Sequence, residues 1–173
     1  MTMEFFQLVK ASEKDIPIIR QIAMAAWPLA YCSILSSGQL EYMLSSMYSE
    51  NTLCDQLCSG EQDFIIAYRS SQPIAFAGFG IINKDPLIYK LYKLYVLPAV
   101  QKTGAGRSLL QEIEAISINA GATQLILNVN RANAAINFYE RQGFSIIESV
   151  DISIGQGFWM NDYVMGKTLH NRS

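Results

Sequence analysis

The feature that most constrains this chain is the turn Gln101–Ser108, which reads QKTGAGRS. An apolar, aromatic run, Ile88–Val96, precedes it, and a helical pattern, Leu109–Ala120, follows it. Gly104 and Gly106 allow a strand-to-helix turn to adopt positive φ and let backbone N–H groups approach an anion. A helix N-terminus offers about four such groups and about half a positive charge. The turn therefore predicts a phosphate-binding segment, with a plain tight turn as the alternative.

The hydrophobic periodicity predicts a mixed α/β (α+β) protein with about seven strands and flanking helices. The predicted strands are Phe5–Lys10, Asp63–Arg69, Ile74–Ile82, Ile88–Val96, Leu125–Val129, Phe144–Ile154 and Phe158–Lys167. Five helices are predicted. The first begins at a Ser12 capping box and ends at about Trp27, where Pro28 stops it, and the third begins at an Asn51 cap and ends at Cys58. The other three cover Gly38–Met47, Leu109 to near Gly121, and Asn133–Gln142. This order predicts a sheet that is antiparallel early and parallel across the helix after Arg107, in a single domain covering residues 1–173.

Composition excludes several classes of protein. Half of the residues are hydrophobic and 16% are charged, which is unlike a disordered chain. The net charge of −2, without a basic stripe, predicts no nucleic-acid partner. No run reaches the ~20 apolar residues of a membrane span, and the first residues, with Glu4 and no basic region, are unlike a signal peptide. We therefore expect a cytoplasmic protein that does not bind membranes.

The chain has three cysteines, Cys32, Cys54 and Cys58. An odd number without the spacing of a disulfide framework predicts reduced thiols. Cys54 and Cys58 are four residues apart and share a helix face, but the chain has a single histidine, His170, in its tail. The sequence therefore offers too few soft ligands in one place to predict a metal site. The same shortage argues against a Ser-His-Asp or Cys-His nucleophilic site.

Two nucleotide-binding motifs fit the glycine turn poorly. The nucleotide P-loop requires glycine and lysine where this chain has Gln101 and Arg107. The dinucleotide motif G-x-G-x-x-G matches Gly104 and Gly106, but Leu109 occupies the third glycine position. The turn therefore indicates neither kind of nucleotide site.

The segment Gln101–Gly106 resembles the Gln/Arg-x-x-Gly-x-Gly/Ala signature of the GCN5-related N-acetyltransferase (GNAT) superfamily. The preceding Leu94–Pro98, LYVLP, is similar to the Leu-Tyr-Val-x-Pro strand end of that family. The later Asn133–Phe144, NAAINFYERQGF, resembles its second motif of an asparagine, alanine, an aromatic pair and Gly-Phe. Together the motifs cover about residues 88–145. The segment from Trp27 to Tyr31 and the last strand, around Met160–Met165, are similar to the bacterial polyamine and small-amine branch.

The resemblance implies the GNAT fold, with central strands that part to admit acetyl-CoA, and acetyl transfer to a primary amine. It implies that Leu94 and Val96 pair with the pantetheine arm through their backbone, that Asn133 contacts this arm, and that Tyr139 is the catalytic general acid. For Asn133 a helix cap, and for Tyr139 ordinary packing, are the alternatives. The implied cofactor-binding residues are Leu94, Tyr95, Val96, Gln101, Lys102, Thr103, Gly104, Ala105, Gly106, Arg107, Asn133 and Tyr139.

The acceptor side is less defined. Many family members have a glutamate base where this chain has Tyr92, so the resemblance implies that water or another carboxylate accepts the amine proton. Trp27, Tyr31 and Tyr92 are candidate acceptor-binding residues. The alternative is core packing for Trp27 and Tyr31, and an ordinary sheet-surface aromatic for Tyr92. Asp162 could orient an amine or only end a hairpin.

Three functional hypotheses follow. The first is an acetyl-CoA-dependent acetyltransferase with direct transfer to a small amine such as a polyamine. The others are a protein or peptide N-acetyltransferase and a non-catalytic acyl-CoA-binding module, for which Tyr139 would be unnecessary. Free cysteines and tyrosine-rich strands permit a homodimer without requiring one.

Overall fold

The secondary structure follows the predicted periodicity closely in a computed structural model of the chain, which describes residues 5–170. The strands are β1 (Gln7–Lys10), β2 (Asp63–Arg69), β3 (Gln72–Lys84), β4 (Leu87–Val96), β5 (Gln124–Asn130), β6 (Ser145–Gly155) and β7 (Phe158–Thr168). The helices are α1 (Ile16–Tyr31), α2 (Ser37–Met47), α3 (Glu50–Cys58), α4 (Ala105–Asn119) and α5 (Ala135–Arg141). Residues 1–4, the first part of the N-terminal stretch that is unlike a signal peptide, lie outside the described residues.

The strands form one mixed sheet in the order β1-β2-β3-β4-β5-β7-β6. Pairing is antiparallel between β1 and β2 and between β2 and β3, whereas β4 and β5 are parallel, as the crossover through α4 requires. Strand β7 then pairs antiparallel with both β5 and β6. The predicted fold class, a mixed seven-stranded α/β sheet, is confirmed.

The described residues group into two compact units. The first comprises the described residues up to Gly80 together with Tyr92–Ile113, and the second comprises Ile81–Leu91 and the described residues from Glu114 onward. Strands β3 and β4 contribute residues to both units. Whether the whole chain forms a single domain, as the sequence predicts, stays a prediction.

Helix α1 shows one wrong prediction, because it continues through Pro28 to Tyr31. Proline removes one N–H donor but its φ is compatible with a helix, so a helix held by tertiary packing can continue past it. Here Trp27, next to the proline, is only 2% exposed. Beyond the proline the Cys32 N–H donates to the Pro28 carbonyl at 3.0 Å, so the helical hydrogen bonding resumes.

The start of α3 is a second wrong prediction. Its N-cap is Ser49 and not Asn51, because the Ser49 Oγ accepts the Thr52 N–H at 3.0 Å. Serine and asparagine are similarly good caps, so sequence alone does not separate two candidates that lie two residues apart. The carboxylate three residues after Ser12 is confirmed in its predicted role: Asp15 Oδ2 accepts the Ser12 N–H at 2.8 Å.

In the second unit, β5 supplies Leu125, Leu127 and Val129 to the core, while its alternate residues are half-buried. This period-2 pattern is that of a strand with one fully covered face. Lys167 on β7 forms a 2.7 Å ion pair with Glu114 of α4. Among the described residues no helix is both long and apolar enough to cross a membrane.

Candidate active site

The glycine turn leads directly into α4. Gly104 has φ +99°, and its carbonyl accepts the Ser108 N–H at 2.9 Å, which is the first helical hydrogen bond. The N–H groups of Ala105, Gly106 and Arg107 precede this bond, so they are the donors that a helix N-terminus presents to an anion. Within the turn, Thr103 Oγ1 donates to the Val100 carbonyl at 2.7 Å and fixes the approach to the helix.

The predicted positive φ is present at Gly104 but not at Gly106, where the expectation was wrong. Helix α4 begins at Ala105, so Gly106 lies in its first turn. The second left-handed residue of the turn is instead Lys102, with φ +64°. Lys102 and Arg107 are both exposed beside the first turn of α4. The turn therefore combines aligned N–H groups with two exposed cations, an arrangement suited to a diphosphate.

The parallel pairing of β4 with β5 runs from Ile88↔Gln124 to Leu91↔Leu127. Strand β4 continues past this paired segment to Val96, so Leu94 and Val96 lie beyond it. These are the two residues whose backbone the resemblance assigns to the pantetheine arm.

Trp27, Tyr31 and Tyr95 form an aromatic cluster with Tyr48. The Trp27 ring lies 4.6 Å from Tyr31 and 5.6 Å from Tyr95, centroid to centroid, and its indole N–H donates to the Tyr48 hydroxyl at 3.2 Å. Tyr31 and Tyr95 join their hydroxyls at 3.0 Å. Trp27 and Tyr48 are buried, whereas Tyr31 and Tyr95 are half-buried. Trp27 thus fits the packing alternative, and Tyr31 retains surface for a ligand.

Two other residues of β4 carry titratable groups that are partly or fully buried. Burial and the negative charge of Glu61 raise the pKa of Tyr92, the residue at the usual glutamate position. Lys93 is 4% exposed, and its Nζ donates to Gln62 Oε1 at 2.9 Å and to Gln56 Oε1 at 3.2 Å. Burial lowers the pKa of Lys93 to about 8.

The second motif forms α5. Asn133 Oδ1 accepts the Ala135 N–H at 2.8 Å, so its side chain does serve the start of the helix. This bond uses the oxygen, and the NH₂ group is the half of the amide that can donate to a cofactor carbonyl. Tyr139 is 8% exposed, and its ring packs against Phe138 and Phe144 with centroids 5.2 and 5.9 Å away.

A buried carboxylate lies on β7. Asp162 is 3% exposed and pairs with Asn130 of β5, so it sits within the sheet and not at a hairpin end. Burial raises the pKa of Asp162, opposed by a hydrogen bond from Asn128 and by the charges of Lys90 and Arg131. Burial likewise lowers the pKa of Lys90, and Asp162 opposes that shift. The two groups therefore form a mutually dependent pair.

Sequence reasoning missed Tyr48 and Lys93. Tyr48 is fully buried at the centre of the aromatic cluster but lies just after α2, where the helical pattern ends. Lys93 had a usable signal: it alternates with Tyr89 and Leu91, which face the core of the same strand. Period-2 spacing therefore placed a lysine at a core position.

Comparison with known proteins agrees with these features. Residues 60–146, half of the chain, match the family described as Acetyltransferase (GNAT) domain. The spermidine N(1)-acetyltransferase of Thermoplasma acidophilum is 27% identical over 146 residues, 81% of this chain and 88% of that protein.

Solved structures give the same result. The crystal structure of PaiA N-acetyltransferase from Thermoplasma acidophilum in complex with coenzyme A has a TM-score of 0.80 and 25% identity, covering 95% of this chain and 99% of that one. A GCN5-related N-acetyltransferase structure from Rhodopseudomonas palustris has a TM-score of 0.82 at 22% identity, covering 98% and 99%, and this likeness concerns the fold. The chain belongs to the GNAT family and is an acetyl-CoA-dependent N-acetyltransferase.

Proposed function

We propose that this enzyme transfers the acetyl group of acetyl-CoA directly to a primary amine of a small polyamine. The observation that carries the proposal is the similarity to a spermidine N(1)-acetyltransferase, which extends over 81% of this chain and 88% of that relative. A polyamine is also a reasonable acceptor for a protein with a net charge of −2, because the two attract each other at long range.

Acetyl-CoA binding is assigned to two sets of residues. The N–H groups that open α4, together with Lys102 and Arg107, bind the diphosphate. The backbone of Leu94 and Val96 pairs with the pantetheine amides, and the Asn133 NH₂ group donates to the same arm. The geometry of Gly104, with φ +99° directly before the first helical hydrogen bond, supports the first assignment.

The chemistry is nucleophilic substitution at the thioester. The neutral amine attacks the carbonyl carbon and forms a C–N bond; the C–S bond then breaks and releases the thiolate of coenzyme A. We assign Tyr139 as the general acid that donates its hydroxyl proton to this thiolate. The amine loses its proton to water, and water in turn supplies a proton to the Tyr139 phenolate, which restores the phenol. No covalent acetyl-enzyme is needed, which agrees with the lack of a cysteine in the motifs.

The acceptor amine must arrive neutral or lose a proton on the enzyme, because an ammonium with a pKa of ~10 is not a nucleophile. Tyr92 occupies the position of the usual glutamate, and its raised pKa makes it a poor base near neutral pH. We therefore propose that water accepts the proton and that Tyr92 and Tyr31 help to enclose the acceptor.

The test is a turnover screen that follows thiol release from acetyl-CoA with spermidine, spermine, and short peptides that have a free N-terminus. The key variant is Tyr139→Phe, which preserves ring packing against Phe138 and Phe144 and removes only the hydroxyl. Tyr68→Phe on β2 is the matched control.

We expect spermidine or spermine to be acetylated. Tyr139→Phe should lower kcat by ~100-fold or more with little change in the KM of acetyl-CoA. Tyr68→Phe should behave as the wild type. Turnover with peptides alone would overturn the polyamine assignment. Equal kcat values for Tyr139→Phe and wild type would remove Tyr139 from the reaction.

A further inference from the structure

Two thiols and a carboxylate converge on the surface of the first compact unit, outside the residues assigned to acetyl-CoA. The Sγ atoms of Cys54 and Cys58 are 3.5 Å apart, and the Cys58 thiol donates to Glu13 Oε1 at 3.0 Å. One potential ligand atom from each residue lies within 4.8 Å of the other two. Glu13 and Cys58 are exposed and Cys54 is half-buried, so an ion from solvent can reach them.

The convergence follows from the fold. Cys54 and Cys58 are one turn apart on the same face of α3. Glu13 comes from a separate element, the 3₁₀ turn Glu13–Asp15, against which α3 packs. A metal site was not predicted from the sequence because only two of these ligands, Cys54 and Cys58, are neighbours in the chain. The third ligand is 45 residues away in the chain and is brought in by tertiary structure.

Both elements are held in place independently of the thiols. In the 3₁₀ turn, Asp15 accepts hydrogen bonds from the backbone N–H and the hydroxyl of Ser12 at 2.8 and 2.9 Å. Leu53 anchors α3 with no exposed surface. Arg20 of α1 donates to the Tyr48 carbonyl and to Glu50 at the start of α3, both at 2.9 Å. The ligand atoms are therefore arranged before any ion binds, which lowers the ordering cost of binding.

We propose that Cys54, Cys58 and Glu13 form a binding site for one Zn²⁺ ion, with water as the fourth ligand. Two thiolates at ~2.3 Å from a tetrahedral zinc lie ~3.8 Å apart, and a thiolate and a carboxylate oxygen lie ~3.5 Å apart. The observed 3.5 and 3.0 Å need only small side-chain rotations to reach these values. Thiolate ligands favour zinc over Mg²⁺ or Ca²⁺, which prefer oxygen.

Zinc binding at this site must displace protons. In the absence of an ion the Cys58 thiol donates its proton to Glu13 Oε1 at 3.0 Å, so a zinc ion bound between these two atoms would replace that proton. Binding should strengthen as the pH rises and should release protons to the buffer.

The experiment uses the full chain after complete reduction of its thiols and Zn²⁺ as the only probe, with affinity measured by competition against a chromogenic chelator. We expect one equivalent to bind to the wild type and to Cys32→Ser, which removes the exposed cysteine outside the cluster. Cys54→Ser and Cys58→Ser should each weaken binding by ~100-fold or more, and Glu13→Gln by about tenfold. The measured binding enthalpy should vary with the ionisation enthalpy of the buffer.

A measurement on the wild type keeps the test valid if a variant folds poorly. Alkylation followed by mass spectrometry should show that Zn²⁺ slows modification of Cys54 and Cys58 but leaves Cys32 unchanged. Three results would each overturn the proposal: no zinc uptake by the reduced wild type, equal affinities for Cys58→Ser and Cys32→Ser, or equal protection of all three cysteines.

Discussion

The buried amine of Lys93 makes the stability of the protein depend on pH in a calculable way. Burial lowers the pKa of Lys93 from 10.5 to about 8, and the negative charge of Glu61 opposes part of that shift. Between these two pH values the unfolded chain holds a proton that the folded protein has lost, so raising the pH favours the folded state. The full difference between the two pKa values corresponds to ~3 kcal/mol in the free energy of unfolding. Between about pH 7 and about pH 9.5, the free energy of unfolding should rise by ~2 kcal/mol of this.

Replacing the lysine isolates this effect from every other titrating group. Lys93→Met keeps the unbranched apolar stem and removes the amine, which leaves Gln56 and Gln62 without their lysine donor at every pH. Because the loss of these hydrogen bonds is the same at every pH, it cancels when the change in unfolding free energy between two pH values is compared. The free energy of unfolding of the wild type, minus that of Lys93→Met, should therefore rise by ~2 kcal/mol between about pH 7 and about pH 9.5.

The assay is urea unfolding at the two pH values, followed by circular dichroism and tryptophan fluorescence, whose transitions must coincide for a two-state analysis. Leu91→Met is the matched control, because Leu91 is buried on the same strand and carries no titrating group. It should lower stability by a similar amount at both pH values. A parallel pH dependence for wild type and Lys93→Met would refute the burial argument.

Gly80→Ala should lower the free energy of unfolding by ~2–3 kcal/mol in urea, because the new Cβ would meet the Glu61 backbone carbonyl oxygen. Gly157→Ala, whose Cβ would meet nothing within 4 Å, should lose only the ~1 kcal/mol that its φ of +77° implies, and equal losses would contradict the clash. Asp162→Asn should lower the pKa of Lys90 further, because the carboxylate is the charge that opposes the effect of burial there. NMR titration of the labelled lysine amine measures this, and an unchanged or higher pKa would show that the pair does not interact.

The parts of the fold that sequence predicted well are those set by local patterns. The run Ile88–Val96 lies within β4, and the parallel pairing across α4 follows from the handedness and length of the crossover. The error at the end of α1 lies where tertiary contacts override a local rule. Pro28 is a reliable helix stop only when nothing holds the next turn, and here the neighbouring Trp27 is buried among aromatic rings.

The candidate site also has a part that local sequence predicts and a part that depends on tertiary structure. The proposed phosphate-binding turn is a contiguous segment, so Gln101–Arg107 could be proposed from its order of residues alone. Its internal geometry could not: the second left-handed residue is Lys102, and Gly106 is helical because α4 starts one residue before it. An acceptor site is assembled from residues distant in sequence, so its members cannot be read from any one motif.

The partners of buried polar groups were the least predictable part of the chain, because they too are distant in sequence. Period-2 spacing does place Lys93 at a core position, but the groups that satisfy its amine there are distant in sequence and are not visible in the strand pattern. Lys93 is tolerated because two glutamines, 31 and 37 residues away, point their carbonyl oxygens at it. Asp162 is tolerated because Lys90 and Arg131 lie near enough to offset its burial. Each buried charge therefore depends on partners that only the fold supplies, and for that reason variants at these positions test the fold more directly than variants in the hydrophobic core.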